Sequence, residues 1–302
     1  MLSVRHVDIG LPVYNGGRYL ASALESLLSQ THEDLSIWIS DNGSIDDTAD
    51  IAKAFAVRDE RVHYECHPEN RGAAWNFEHV RVFANGAYFK WAAHDDLHEP
   101  TYLIRCIEAL EAAPDAVIAQ PRTVFIDDTD QELLRSFRVN DWDHPDPAVR
   151  LRTVLGRNHE YGFAFGLIRT EALRELDEYR ARYGADELLL SELALRGRFI
   201  EVDEHLFRNR LHPNRSMVQN SGLRYRLLWN DWWSGAGGGG SKFPAWRFLV
   251  DLRDIIDRAP LDDAQRRACR RVLIEWSRNN WSRLGLDVPL GVEQILRSRA
   301  GS

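Results

Sequence analysis

The feature that most constrains this chain is an alternation through its first 120 residues: short apolar runs are separated by segments whose apolar residues recur at helical spacing. Residues 7–12 read as a strand, and residues 18–29 as a helix with Leu20, Ala23, Leu24, Leu27 and Leu28 on one face. Residues 35–40, with Ile37, Trp38 and Ile39, read as the next strand. Ser44 then opens a helix, with Asp47 completing a capping box and Ile51, Ala52 and Phe55 turned inward. Strands over 61–66 and 87–92 and from 116, with helices over 74–83 and 101–112, continue the rhythm. Such βαβα order predicts an α/β fold with a mostly parallel central sheet and helices on both faces.

From about Phe125 the pattern changes. Residues 127–130 read as a polar turn and 140–147 as a loop. Residues 163–168, 199–202 and 206–212 read as strands, and 171–179 and 186–195 as helices. We take these as one domain, residues 1–234, with a first half over 1–127 and a second over 128–234. Residues 235–241, Gly-Ala-Gly-Gly-Gly-Gly-Ser, form a flexible loop or linker. Residues 242–302 form a helical C-terminal extension, with helices over 245–256, 262–283 and 292–299.

The 302 residues carry a net charge of −8, so binding of nucleic acid through overall charge is not expected. The extension is locally basic, by four charges, on an acidic body. It suits packing on the domain, a homodimer contact, or peripheral contact with anionic lipid. No apolar window is long enough to span a bilayer, and residues 1–8 lack a signal core. Cys66, Cys106 and Cys269 make no disulfide framework or metal clip, so a cytoplasmic protein with reduced thiols is expected, at most peripheral at the inner face of the membrane.

The acidic residues fall at informative places. Asp41 follows one strand, and Asp95 and Asp96 follow another. Open parallel sheets bind ligands at the carboxyl ends of their strands. Carboxylates gathered there repel unless a cation lies between them. A hard divalent ion, Mg²⁺ or Mn²⁺, completes its shell with phosphate oxygens, which predicts a nucleotide or diphosphate ligand.

Four stretches then make a specific resemblance: Pro12-Val13-Tyr14-Asn15; Ser40-Asp41-Asn42-Gly43-Ser44-Ile45-Asp46-Asp47-Thr48; Asn70-Arg71-Gly72 with Asn76; and His94-Asp95-Asp96. Their order and spacing resemble the nucleotide-sugar-binding half of the inverting family 2 glycosyltransferases, which have the GT-A fold. The resemblance implies that Pro12, Val13 and Tyr14 border the base, that Asp41 bonds base or ribose, and that Arg71 contacts base or diphosphate. It implies Asp95 near ribose and metal and Asp96 as metal ligand. Ser44 and Asp47 are assigned to capping, and Asn76 to either structure or donor contact.

Tyr183-Gly184-Ala185-Asp186-Glu187 resembles the region that holds the family's general base, which makes Asp186 the candidate and Glu187 the alternative. An inverting transfer needs a carboxylate to take the acceptor hydroxyl proton. Arg210-Leu211-His212 and Arg215 resemble an R-x-H loop over the diphosphate, with Arg210 and Arg215 as phosphate contacts and His212 as a further metal ligand. Trp229, Trp232, Trp233 and Trp246 suit either sugar stacking or packing of the extension.

The implied function is transfer of a sugar from a UDP-, GDP- or dTDP-sugar to the hydroxyl of a glycan, a lipid-linked precursor or another acceptor. The alternatives are a sugar nucleotidyltransferase, which would need a Gly-rich basic loop where this chain reads LPVYNGGRY, and a catalytically silent binding module, against which Asp41, Asp95, Asp96 and Asp186 argue. P-loop lysine, GxSxG and HExxH signatures are lacking.

Overall fold

Strand β1 (Val7–Val13) is buried along its whole length, which requires a paired strand on each edge and a helical layer on each face. The computed structural model, which describes residues 5–136, 141–156, 161–176, 184–212 and 243–300, provides both. Parallel β2 (Leu35–Asp41) pairs with one edge of β1 and parallel β4 (Tyr88–Trp91) with the other, while β3 (Val62–Cys66) extends the sheet beyond β2. Beyond β4 come β8 (Leu167–Arg169), β6 (Ala116–Ile126), β9 (Arg198–Arg210) and β5 (Leu97–His98), with β7 (Glu132–Arg135) pairing β6. Among the described residues nine strands form one sheet, and only β5, β7 and β8 run against the rest. The mostly parallel α/β sheet expected from the sequence is what forms.

The strand order 3-2-1-4 has a functional consequence. The chain winds outward from β1 to β3 and then returns to the opposite side of β1 as β4. The reversal opens a crevice at the carboxyl ends of β1 and β4. Helices α1 (Gly17–Leu28), α2 (Thr48–Arg58) and α4 (Tyr102–Ala112) bury Leu20, Leu24, Phe55 and Leu103 in one core cluster. Helices α3 (Ala73–Arg81), α6 (Thr170–Arg174) and α7 (Ala185–Arg196) contribute Val80, Leu173, Leu190 and Leu193 to another.

Several local expectations give way. Ser44 does not start α2; the helix begins at Thr48, and residues 42–47 form a loop. Part of the stretch read as a loop over 140–147 opens α5 (Pro147–Leu155), whose N-cap Asp146 accepts from Ala148 N at 2.8 Å. The two closing strands are one, β9, because Arg122 of β6 takes up the polar interruption through Glu201 at 3.1 Å and Asp203. The strand over 163–168 is a 3-10 turn, Tyr161–Phe165, followed by β8.

The C-terminal helices, Pro244–Arg258, Asp263–Asn279 and Trp281–Ala300, do not form an independent unit. Phe248, Leu252, Ile256 and Trp276 share a core with Leu151 of α5 and Leu188 of α7. Trp246 donates to the Leu284 carbonyl at 3.0 Å, which places it in the packing of these helices. Residues 235–241 and Trp229, Trp232 and Trp233 lie outside the described residues.

The turn into β3 carries a pH-sensitive tie. Asp59 accepts from Arg61 N, Nε and Nη2 at 2.8–3.0 Å. The Arg61 side chain, ahead of the opposing effect of burial, holds the Asp59 carboxyl down to about 2. A depressed folded-state value stabilises the fold above the ordinary value of 3.8 and loses that contribution as pH falls toward 2. Partly exposed, the pair is discounted to about 1 kcal/mol. The wild-type margin over Asp59→Asn in urea unfolding is therefore expected near neutrality and should vanish by about pH 2; a margin constant across that range would remove charge from the account.

Candidate active site

The floor of the crevice is built by two loops that satisfy each other. The β1–α1 connection turns at Asn15, which adopts φ 52°. Its backbone N–H donates to Ser44 Oγ at 2.8 Å, and its side-chain Oδ1 accepts from Ile45 N at 3.0 Å. Gly16 N donates to Thr48 Oγ1 at 2.9 Å and Gly17 N to Asp46 Oδ2 at 3.0 Å. The orphan N–H groups that open α1 are thus satisfied by the loop after β2 and the first residue of α2, not by α1's own N-cap. Gly43, at φ +77°, lets that loop pass; a Cβ there would approach the Glu69 and Asn70 backbone at 3.0–3.2 Å. Asn42 then ties in the third loop, donating to Asn70 Oδ1 and the Gly72 carbonyl and accepting from Arg71 N.

Asp41 lies under this floor. It is fully buried, and its two oxygens accept from Ser44 N at 2.8 Å and Tyr64 Oη at 2.9 Å. It ends β2, which β1 separates from β4, whereas Asp95 and Asp96 follow β4. At a strand spacing of ~4.8 Å the two strand ends start about 10 Å apart.

The acid pair stands at the other side. Asp96 is 2% exposed; its Oδ1 accepts from Arg210 N at 2.9 Å, and both oxygens approach Asn209 Nδ2 at 3.1 and 3.2 Å. Burial, then the neighbouring Asp95 charge, raise its carboxyl above the ordinary range. Burial also opposes the charge on Asp95, but the His212 hydrogen bond and the charges of His94 and His212 outweigh it and hold Asp95 low. His212 Nε2 lies 2.9 Å from Asp95 Oδ2. Behind the pair, fully buried Lys90 on β4 donates to the Trp91 carbonyl at 3.0 Å and meets His98 Nε2 at 2.9 Å. Burial brings its amine down to about 7.

A cavity of about 410 Å³ joins these parts. Among the residues expected from sequence, Pro12, Val13, Tyr14, Asp95, Asp96, Arg210 and His212 line it. Asp41, Arg71 and Asp186 do not. The Arg71 guanidinium stacks 4.1 Å over the Trp75 ring on the outside. Asp186 is in the first turn of α7, whose N-cap is Gly184. Arg215 lies outside the described residues. Arg210 is present but occupied: it donates to the carbonyls of Asp95 and Asp127 at 2.9 and 3.0 Å, pairs with Asp130 at 2.6 Å, and stacks on Tyr19.

Sequence reasoning passed over Asn209, Tyr19 and Arg18, all of which line the cavity. Asn209 adjoins the R-x-H stretch, which was the available signal. Arg18 is exposed at the rim and paired with Asp128 at 2.9 Å.

Residues 8–177 match the family model described as Glycosyl transferase family 2. The chain belongs to this family. Its relatives include Glycosyltransferase GlyG of Streptococcus pneumoniae serotype 4, 34% identical over 92 residues that make up 30% of each chain. Hyaluronan synthase of Pasteurella multocida is 24% identical over 219 residues, 72% of this chain and 22% of that protein. The first of these similarities thus spans under a third of the relative's length. Among solved structures, S. aureus TarS 1-349 in complex with UDP-GlcNAc superposes with a TM-score of 0.66 at 15% identity, covering 92% of this chain and 73% of that one. Mannosyltransferase PcManGT from Pyrobaculum calidifontis, in complex with GDP-Man and Mn²⁺, gives 0.54 at 15% identity over 99% and 76%. The GT-A-type fold expected for a family 2 chain is therefore present.

In this family 2 member the glycine after Asn42 is a backbone requirement. Gly43→Ala is expected to cost roughly 1–2 kcal/mol for its left-handed backbone alone, with the Glu69 contact added. Ile45→Ala, at an 89% exposed position two residues on, should unfold as wild type does. Equal urea midpoints for the two variants would contradict the loop account.

Proposed function

We propose that the chain is a metal-dependent inverting glycosyltransferase that moves a sugar from a nucleoside diphosphate donor to an acceptor hydroxyl. The observation that carries this is buried Asp96 next to part-buried Asp95 at the crevice, beside His212. Two adjacent carboxyls, one of them raised by burial and then by the other's charge, make a site that is short of positive charge. The donor set of carboxylate oxygen and imidazole nitrogen fits Mn²⁺, and Mg²⁺ through its oxygen part. Asp96 and His212 would hold the cation. When bound, it supplies charge stabilisation to the departing diphosphate.

The chain's own residues divide the remaining work. Pro12, Val13 and Tyr14 border the base, and the Asn42–Asn70 latch fixes the wall beside it. Asp41, spent on Ser44 and Tyr64, holds that wall from below. Arg210 braces the Asp95 backbone and Tyr19, while Arg18 at the rim and Arg215 supply cationic charge for the diphosphate. Asp186 is the general base: it takes the acceptor proton as that oxygen attacks the anomeric carbon from the face opposite the leaving group. At Gly184, two residues before it, an added Cβ would meet the Phe248 ring at 2.8 Å, so the C-terminal helices pack closely on this segment.

The neighbours' ligands, UDP-GlcNAc for TarS and GDP-Man with Mn²⁺ for PcManGT, support a nucleotide-sugar donor. The acceptor we propose is a glycan or lipid-linked hydroxyl in surface polysaccharide or glycoconjugate assembly. Among the described residues no helix is long and apolar enough to cross a membrane.

A thermal-shift screen of UDP-, GDP- and dTDP-sugars with Mn²⁺ tests the donor half. One donor is expected to raise the melting temperature of wild type, and Asp96→Asn or chelation should abolish most of that rise. A rise of equal size in Asp96→Asn would reject the metal role. Asp186→Asn should bind donor as wild type does and lose at least about a hundredfold in transfer rate; undiminished turnover would move the base elsewhere, with Glu187 tested next.

A further inference from the structure

Glu65 at the end of β3, His67 just after it, and His79 on α3 meet away from the cavity, and none of them lines it. One ligand atom from each lies within 4.8 Å of the others. His79 Nε2 is 2.9 Å from Glu65 Oε2, and His67 Nδ1 is 4.0 Å from Glu65 Oε1. The first contact is an ordinary surface pair. The second is not explained that way, because it exceeds hydrogen-bond reach.

The hydrogen bonds behind His67 fix its tautomer. Asn76 Nδ2 donates to the carbonyls of Val13 and Ser40, which makes its Oδ1 an acceptor. Ser40 Oγ gives its single proton to that Oδ1. The same Oγ therefore accepts from His67 Nε2, 2.9 Å away. With the proton on Nε2, Nδ1 holds a lone pair 4.0 Å from a carboxylate oxygen that has only lone pairs of its own, a spacing that leaves room for an ion between them. A cation there would take a lone pair from each. The surroundings match a metal site's supporting shell: Ser40 orients the far nitrogen of His67, and the Trp75 indole stacks on the His79 ring at 4.8 Å and 18°.

We propose that Glu65, His67 and His79 form a second metal site, for a borderline divalent transition metal of the zinc class. Two imidazoles and one carboxylate are the ligand types such ions take, with solvent in the fourth position. The site shares no residue with Asp96 and His212. It would clasp β3 to α3 across the connection that carries Asn70, Arg71 and Gly72, and it touches the crevice wall through Ser40 and Asn76.

The test uses Co²⁺ as probe on the full chain in the Asp96→Asn background, which silences the other site. One equivalent should bind, giving the visible bands of four-coordinate Co²⁺ and quenching tryptophan fluorescence through Trp75. Adding His79→Gln or Glu65→Gln, both at sites outside the deep core, should weaken binding at least about tenfold, with the circular dichroism of the fold unchanged. Substitution of His67 is avoided because it is buried. Absence of the bands, or Co²⁺ affinity that neither His79→Gln nor Glu65→Gln lowers, overturns the proposal. So does a signal that appears only when Asp96 is intact.

Discussion

Two neighbouring carboxyls, one buried and one part-buried, set the terms for this protein. At ~4 Å two like charges repel by about 4 kcal/mol in a surface-like dielectric, against about 1 in bulk water. The surrounding groups answer that repulsion: Asn209 and the Arg210 N–H on Asp96, His212 on Asp95, and the Lys90 amine buried behind. Each comes from β4, β9 or the residues after β9, which is why the second half of the chain has to fold back onto the first. The remaining shortfall of positive charge is the ground on which we propose a cation and a diphosphate in the crevice.

The other side of the crevice depends on exchange between loops. Asn15, Gly16 and Gly17 bond to Ser44, Thr48 and Asp46, and Asn42 bonds to Asn70 and Gly72. Three sequence motifs that look independent are therefore one hydrogen-bonded unit. Buried polar atoms in such a unit are costly to leave unpaired, so each motif constrains the next.

The elements legible in the chain were those whose apolar residues carry a clear period. Strands β1 and β2 and helices α1 and α4 appear within a residue or two of their expected ends. Misses had local causes. The Asp146-Pro147 pair is a helix opening that also reads as a turn. Polar residues Asp203 and Glu204 interrupt β9 without ending it, and two-residue β5 has no period to detect. The Ser44 and Asp47 pattern suggested a cap for its own helix, whereas Ser44 reaches across to Asn15.

By itself the amino-acid order determined the alternating α/β rhythm, the strand-end position of Asp41, Asp95 and Asp96, and the residues that belong to the crevice at Pro12, Tyr14 and His212. Which acids meet was decided only in three dimensions. Proximity along the chain records that each carboxylate follows a strand, but it does not record which strands are neighbours. Because β1 lies between β2 and β4, Asp41 stands at the end of a strand that is not the neighbour of the one before Asp95 and Asp96. There its charge is met by Ser44 and Tyr64, while Asp96 is met by Asn209 from more than a hundred residues downstream.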